Sequence, residues 1–297
     1  VEISGLVRRR LMPRIGGEAV VSKTAQHRWL EWLADDRARD PETGLWWSWC
    51  NPDHLGYPYE EATAWVICLA AQGQADRRSL ALRESADHAL ESLLARIEQR
   101  GGLGRGGRLY AFDTGVGLAA LQAVGGHDEA RATLVSTLSE FCDRRVAVEG
   151  GPPLGLERAT SRWSHSWGAH LLWLNEPLLA AGMVGRAEAM TAELLDRCLR
   201  DDGLLRIHGA SDAVYAHAAA YAAQGLMARG EVELAGNTAN ALLRAQRRDG
   251  LVPAWIGRSE SPGRTDVTAQ ALWLWRRCGE RRLGEHAERA FGALTAM

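Results

Sequence analysis

Five stretches of the chain carry side chains suited to moving protons. They are Tyr57-Pro58-Tyr59-Glu60-Glu61, Phe112-Asp113-Thr114-Gly115, Arg162-Trp163-Ser164-His165 with His170 a turn further on, Asp212-Ala213-Val214-Tyr215-Ala216-His217, and Thr265-Asp266-Val267-Thr268 with Gln270. Each stands where an apolar helix begins. If the five starts converge on one pocket, Asp113, Glu60 and Asp212 become candidate acid/base carboxylates, and His165, His217 and Tyr215 candidate proton shuttles. Tyr59, Glu61, His170, Asp266 and Gln270 would line the same space, and Arg162 could hold a substrate carboxylate bidentately. Trp46, Trp47 and Trp163 would offer flat faces to a ring or an apolar chain. Simpler uses compete. An Asp at a helix start satisfies orphan N–H groups, which alone would account for Asp113, Asp212 and Asp266. A single histidine in an apolar helix is ordinarily a core residue, which covers His170 and His217. Glu60 and Glu61 are adjacent, so at most one of them faces the centre. The coincidence of five helix starts carries the functional reading.

The elements that must position these groups form a repeat. Gly44-Leu45-Trp46, Gly102-Leu103-Gly104, Pro153-Leu154-Gly155, Asp202-Gly203-Leu204 and Asp249-Gly250-Leu251 recur at intervals of about fifty residues. After each comes a short polar stretch, then an apolar helix, then a charged amphipathic one. The spacing predicts apolar helices over 59–72, 113–124, 163–181, 213–228 and 265–278. It predicts amphipathic helices near 22–36, 77–99, 127–144, 185–200, 231–247 and 280–296. Helices apolar nearly all round must be buried on most faces, and closing the hairpins into a ring supplies the neighbours. The expected fold is all-α: an α/α toroid of five to six helical hairpins, with apolar inner and amphipathic outer helices. It forms one domain over 22–297 behind an irregular arm over 1–21. Short extended pieces such as LLRIHG fall in the loops.

Of 297 residues, 46% are hydrophobic and 24% charged, and the net charge is −2. That balance leaves no basic footprint for nucleic acid, and no apolar run has the length of a membrane span. Five widely spaced cysteines without a CxxC fit reduced thiols and a cytoplasmic setting. There is no Gly-rich phosphate loop, HExxH, zinc-spaced Cys/His run or GxSxG elbow, so no cofactor and no metal is assigned. A metal assembled from distant side chains stays open. Twelve tryptophans against three phenylalanines suit stacking on sugar rings and lining apolar pockets for prenyl chains alike.

GYPYEEATAWVI, FDTGVGLAAL, AVYAHAAAYAAQGLM and DGLVPAWIGRSESPGRTDVTAQALWLW are similar, in order, to the YPE-x-TGY, FDTG, THTIAYTLEGLL and DG-x-LP…TG-x-AQ stretches of bacterial α/α-toroid proteins associated with polysaccharide biosynthesis. The similarity spans most of residues 44–278. FDTG followed by RWSHSWGAH also resembles the helical domain of glucuronyl C5-epimerases. There are departures: the family's Thr-His is Ala216-His217, and its TGY is Thr63-Ala64-Trp65. The resemblance implies a carbohydrate-active toroid enzyme, an epimerase or a glycosidase/lyase, taking a small-molecule, glycan or peptide-like substrate in the central pocket. Two alternatives stand beside it. One is a terpenoid-cyclase or prenyltransferase-like toroid with an apolar cavity, against which the chain has no DDxxD or DxDD run, only the pairs Asp35-Asp36 and Asp201-Asp202. The other is a toroid that binds or modifies a peptide.

Overall fold

The computed structural model describes residues 23–48, 50–51, 54–72, 77–278 and 284–296. The arm expected over 1–21 lies outside them. Helices alternate between an outer and an inner layer. The outer helices are α1 (Lys23–Ala34), α3 (Arg77–Arg100), α5 (Asp128–Arg144), α7 (Val184–Cys198), α9 (Val232–Ala245) and α11 (Gly284–Thr295). The inner ones are α2 (Glu60–Gln72), α4 (Ala111–Val124), α6 (Asn175–Ala180), α8 (Ala216–Arg229) and α10 (Thr265–Cys278). Successive inner helices pack side by side, each backed by outer neighbours. At the seam, Trp29 of α1 meets Phe291 of α11 edge to face, with ring centroids 6.1 Å apart. This is the α/α toroid that the repeat implies. No helix among the described residues is long and apolar enough to cross a membrane.

The inner helices α4 and α8 bury nearly every face, as their composition requires, whereas α10 buries one side only. In α4 the buried residues include Gly115, Val116, Gly117, Leu118 and Leu121, and in α8 Ala219, Ala220, Ala222, Ala223 and Leu226. Small residues let these backbones come close. A Cβ on Gly225 would sit 1.8 Å from the carbonyl oxygen of Leu172. Gly225→Ala therefore forces α8 off its neighbour, and a melt should show destabilisation of about 3 kcal/mol, the upper end for overpacking; an unchanged midpoint would mean that the contact is looser than drawn.

The third inner helix departs from expectation. In place of one helix over 163–181 there are two 3-10 segments, Trp163–His165 and Ala169–Leu174, and then the short α6. Two residues explain the break. Gly168 is extended (φ −149°, ψ −177°) and lies so near Ile207 that a Cβ would stand 2.1 Å from its carbonyl oxygen. Pro177 would clash with the preceding turn inside a continuous helix, but it is tolerated in the first turn of a new one.

Paired two-residue strands tie the loops together at one end of the ring. β1 (Cys50–Asn51) pairs with β2 (His54–Leu55), and β3 (Gly104–Arg105) with β4 (Arg108–Leu109). β5 (Val214–Tyr215) pairs with β7 (Trp255–Ile256), and β6 (Val252–Pro253) with β8 (Gly263–Arg264). Leu205 of LLRIHG makes only an isolated bridge, to Leu199. A buried threonine at the fourth position of three inner helices pins its own repeat loop. Thr63 Oγ1 accepts from Trp46 N (3.0 Å), Thr114 from Leu103 N (3.2 Å) and Thr268 from Val252 N (2.8 Å). The loops thereby hold the helix starts, and the side chains on them, at fixed positions around the mouth.

Candidate active site

Second and sixth positions of an inner helix are a turn apart and share a face. In α2, α8 and α10 these are Glu61 and Trp65, His217 and Tyr221, and Asp266 and Gln270. They meet at the centre of the ring. Trp65 stacks parallel to Tyr221 (6.4 Å, 6°) and lies edge-on to Trp173 (4.9 Å). Phe112, the second residue of α4, packs against Tyr221 (4.6 Å), Trp173 (5.4 Å) and His170 (5.9 Å). Trp163 joins His170 (5.1 Å), His217 (5.5 Å) and Tyr215 (5.6 Å). The result is a nearly continuous aromatic lining contributed by four repeats.

Two carboxyls share this space with one guanidinium. Asp113 is 1% exposed and occupies the first turn of α4, whose N-cap is Tyr110. Asp113 is therefore not the cap, and its Oδ2 is buried with no hydrogen-bond partner among the described residues. Burial, and then the Glu61 charge, push its pKa well above the ordinary carboxylate range, against the pull of Arg105. Burial also raises Glu61, but Glu61 is far better solvated by protein donors. It receives the Tyr59 hydroxyl, Trp65 Nε1 (3.4 Å) and the Tyr221 hydroxyl (3.5 Å). Arg105 donates to the Tyr59 hydroxyl (2.5 Å) and lies over the Tyr110 ring at 4.4 Å. Burial disfavours the Arg105 charge, yet its pKa stays above the ordinary arginine value, so it remains a cation beside the two carboxyls. One cation between two carboxyls holds one of them ionised. The donors select Glu61, so the proton resides on Asp113.

Across the ring, His217 Nδ1 faces Asp266 Oδ2 at 3.6 Å. Burial lowers the His217 pKa against the opposing pull of Asp266. Asp266 is itself fixed by Arg264 through Nε (2.9 Å) and Nη2 (2.5 Å) and accepts Val267 N (2.8 Å), a partial capping role. Gln270 Oε1 is buried there without a partner among the described residues. Burial, with the Arg105 charge next, drops His170 to about 3, and both its ring nitrogens are unpartnered among those residues. It is a neutral imidazole at any physiological pH. His165 meets the Tyr110 hydroxyl at 3.1 Å, and burial followed by nearby arginines lowers its pKa.

The structure thus gathers Tyr59, Glu61, Asp113, Trp163, His170, Tyr215, His217, Asp266 and Gln270, with His165 and Arg162 towards the mouth. It takes others elsewhere. Glu60 is 3% exposed and serves as a clamp: Arg96 Nη1 (3.0 Å), Arg100 Nη2 (2.5 Å) and Gly104 N (2.6 Å) all converge on its carboxylate. Asp212 has a 99% exposed side chain facing Arg206 at 3.4 Å, and it precedes α8 without capping it. Trp46 is 2% exposed and bonds through Nε1 to Leu33 O at 3.0 Å, wedged beneath α1. Trp47 bridges to Pro58. Trp65, Phe112, Trp173, Tyr221, Arg105 and Tyr110 enter the site unanticipated. The i, i+4 relation to Glu61 and His217 was the available signal for Trp65 and Tyr221. Among the described residues no group of three or more His, Cys, Asp or Glu is placed to hold a metal ion.

No protein-family model and no curated protein sequence matches the chain. Solved structures do. The type II terpene cyclase MstE from Scytonema superposes with a TM-score of 0.60 at 21% identity, covering 91% of this chain and 79% of that one. A sugar epimerase from a ruminal bacterium gives 0.62 at 14% identity, over 90% and 86%. A possible member of the GH105 family from Salmonella enterica serovar Paratyphi A gives 0.61 at 13%, over 97% and 85%. All are α/α toroids, and at these identities the likeness establishes the fold. MstE variants are known with geranylgeranyl dihydroxybenzoate as substrate and merosterolic acid A as product.

Proposed function

We propose that the chain is a proton-transfer enzyme of the α/α-toroid type, in which Asp113 protonates an electron-rich, largely apolar substrate of isoprenoid character. One observation carries the reading: a buried carboxyl, kept protonated and without a partner for Oδ2, beside a wall of Trp65, Phe112, Trp173 and Tyr221. Proton donation to an alkene forms a C–H bond from the π pair and leaves a carbocation at the more substituted carbon. Aromatic faces attract such a cation without attacking it as oxygen ligands would. A second double bond then closes a ring. Loss of a proton from the last cation to His217, steadied by Asp266, gives a cyclic isomer of the substrate; His217 then releases that proton to solvent, and solvent returns one to Asp113. The likeness to a terpene cyclase supports this reading at the level of the fold.

A carbohydrate reaction is the second reading. It is favoured by the His217–Asp266 pair beside Tyr215, a base and an acid suited to removing and returning a proton at a sugar carbon. Incubation with geranylgeranylated hydroxybenzoates, geranylgeranyl diphosphate and uronic-acid oligosaccharides separates the two. The leading proposal expects an isomer with fewer double bonds from a prenylated substrate. Turnover of a uronate alone would replace it with the second.

A further inference from the structure

We propose that four rings form a floor across the toroid and set the length of apolar chain the pocket admits, with Trp65 as the residue that decides it. Trp65 of α2 meets Trp173 edge-on (4.9 Å), and Trp173 meets Phe112 of α4 (5.4 Å). Phe112 meets Tyr221 of α8 (4.6 Å), and Tyr221 lies parallel to Trp65 (6.4 Å). These four contacts close a circuit, and centroids at such separations belong to rings packed against one another. Three of the five inner helices and the 3-10 segment Ala169–Leu174 thus meet at one height, leaving no hole that a hydrocarbon chain could thread. Gln270, the sixth residue of α10, stands half-buried at that height on the remaining side. Glu61 and His217 lie one turn, about 6 Å of helix rise, nearer the mouth than Trp65 and Tyr221. Beneath the circuit the inward stripes of α2 and α10 continue through Leu69 and Trp273, which are again partly exposed.

Phe112, Trp173 and Tyr221 are buried, whereas Trp65 is partly exposed, so an incoming chain ends against its ring. A chain longer than the space above the circuit has to double back over the rings. In a polyene this brings remote double bonds together, as ring closure needs. That consequence rests on the function proposed above; the floor itself does not.

The test titrates straight-chain primary alcohols, from hexanol to hexadecanol, into the wild type and Trp65→Ala. In the wild type, affinity should rise about fourfold with each methylene buried and level off at the length that reaches the floor. Alcohols shorter than that cut-off should bind the variant within a few-fold of wild type. Beyond it, the variant should keep gaining about fourfold per methylene where the wild type gains nothing. Trp65→Leu, a milder truncation, carries the same prediction if the alanine variant does not fold. A cut-off that stays in place, a wild-type series without a break, a change in affinity that is equal at every length, or no binding of any alcohol overturns the floor. Geranylgeraniol and a geranylgeranylated hydroxybenzoate are then titrated into the wild type. If the straight chains show the shifted cut-off and neither prenyl compound binds, the floor stands and the isoprenoid reading falls.

Discussion

Asp113→Asn should lower turnover by about a thousandfold, within the range for loss of a general acid, and should stabilise the fold at alkaline pH. The two effects have one origin. The Asp113 pKa is raised in the folded protein by burial and by Glu61, so folding favours its protonated form. A group raised in this way contributes stability that is fully present below the unfolded carboxylate pKa and is lost as pH rises through the folded value. Asparagine keeps the shape and never ionises. The wild type should therefore lose stability relative to Asp113→Asn as pH climbs above the ordinary carboxylate range. Melts of both proteins across pH, beside turnover at one pH, provide the check. A variant that is inactive and less stable at every pH would mean that Asp113 is an ionised structural group.

Replacing Glu60 should do the reverse. It sits one residue before Glu61 and looks equally chemical in sequence, yet Arg96, Arg100 and Gly104 N close around it. Removing one partner of a buried pair leaves the other charges uncompensated, at a cost of 3–5 kcal/mol for full burial. Here the arginine side chains are 32% and 26% exposed and can turn to water, so about 3 kcal/mol is expected for Glu60→Ala. That corresponds to a fall of roughly 6–12 °C in melting midpoint for a domain of this size. Turnover measured well below the midpoint should stay within a few-fold of wild type. A normal melt with lost activity would place Glu60 in the chemistry instead of the scaffold.

The alternation of apolar and charged helices was legible because burial leaves its mark on composition: α4 and α8 could lie nowhere but inside. The repeat loops were legible through residues such as Gly250, whose left-handed backbone (φ +86°) and approach to Arg289 exclude a Cβ. The interruption of the third inner helix was less plain, since Trp and Leu at 167–174 fit an inner helix until Gly168 and Pro177 are weighed against them. At the site, residue type alone marked Asp113, His217 and Asp266. It could not separate Glu60 from Glu61, because their difference lies in partners 36 to 44 residues away. Nor could it find Arg105, whose role depends on a hairpin that returns its side chain between Tyr59 and Tyr110.

The most direct test is to run the reaction in D2O with a geranylgeranylated hydroxybenzoate and weigh the product. If Asp113 delivers a solvent-derived proton to a double bond and another proton is lost at the end, the cyclic product carries one deuterium on carbon, and Asp113→Asn gives none. A cyclic product without deuterium, or the same labelling from Asp113→Asn, would contradict Asp113 as the proton donor.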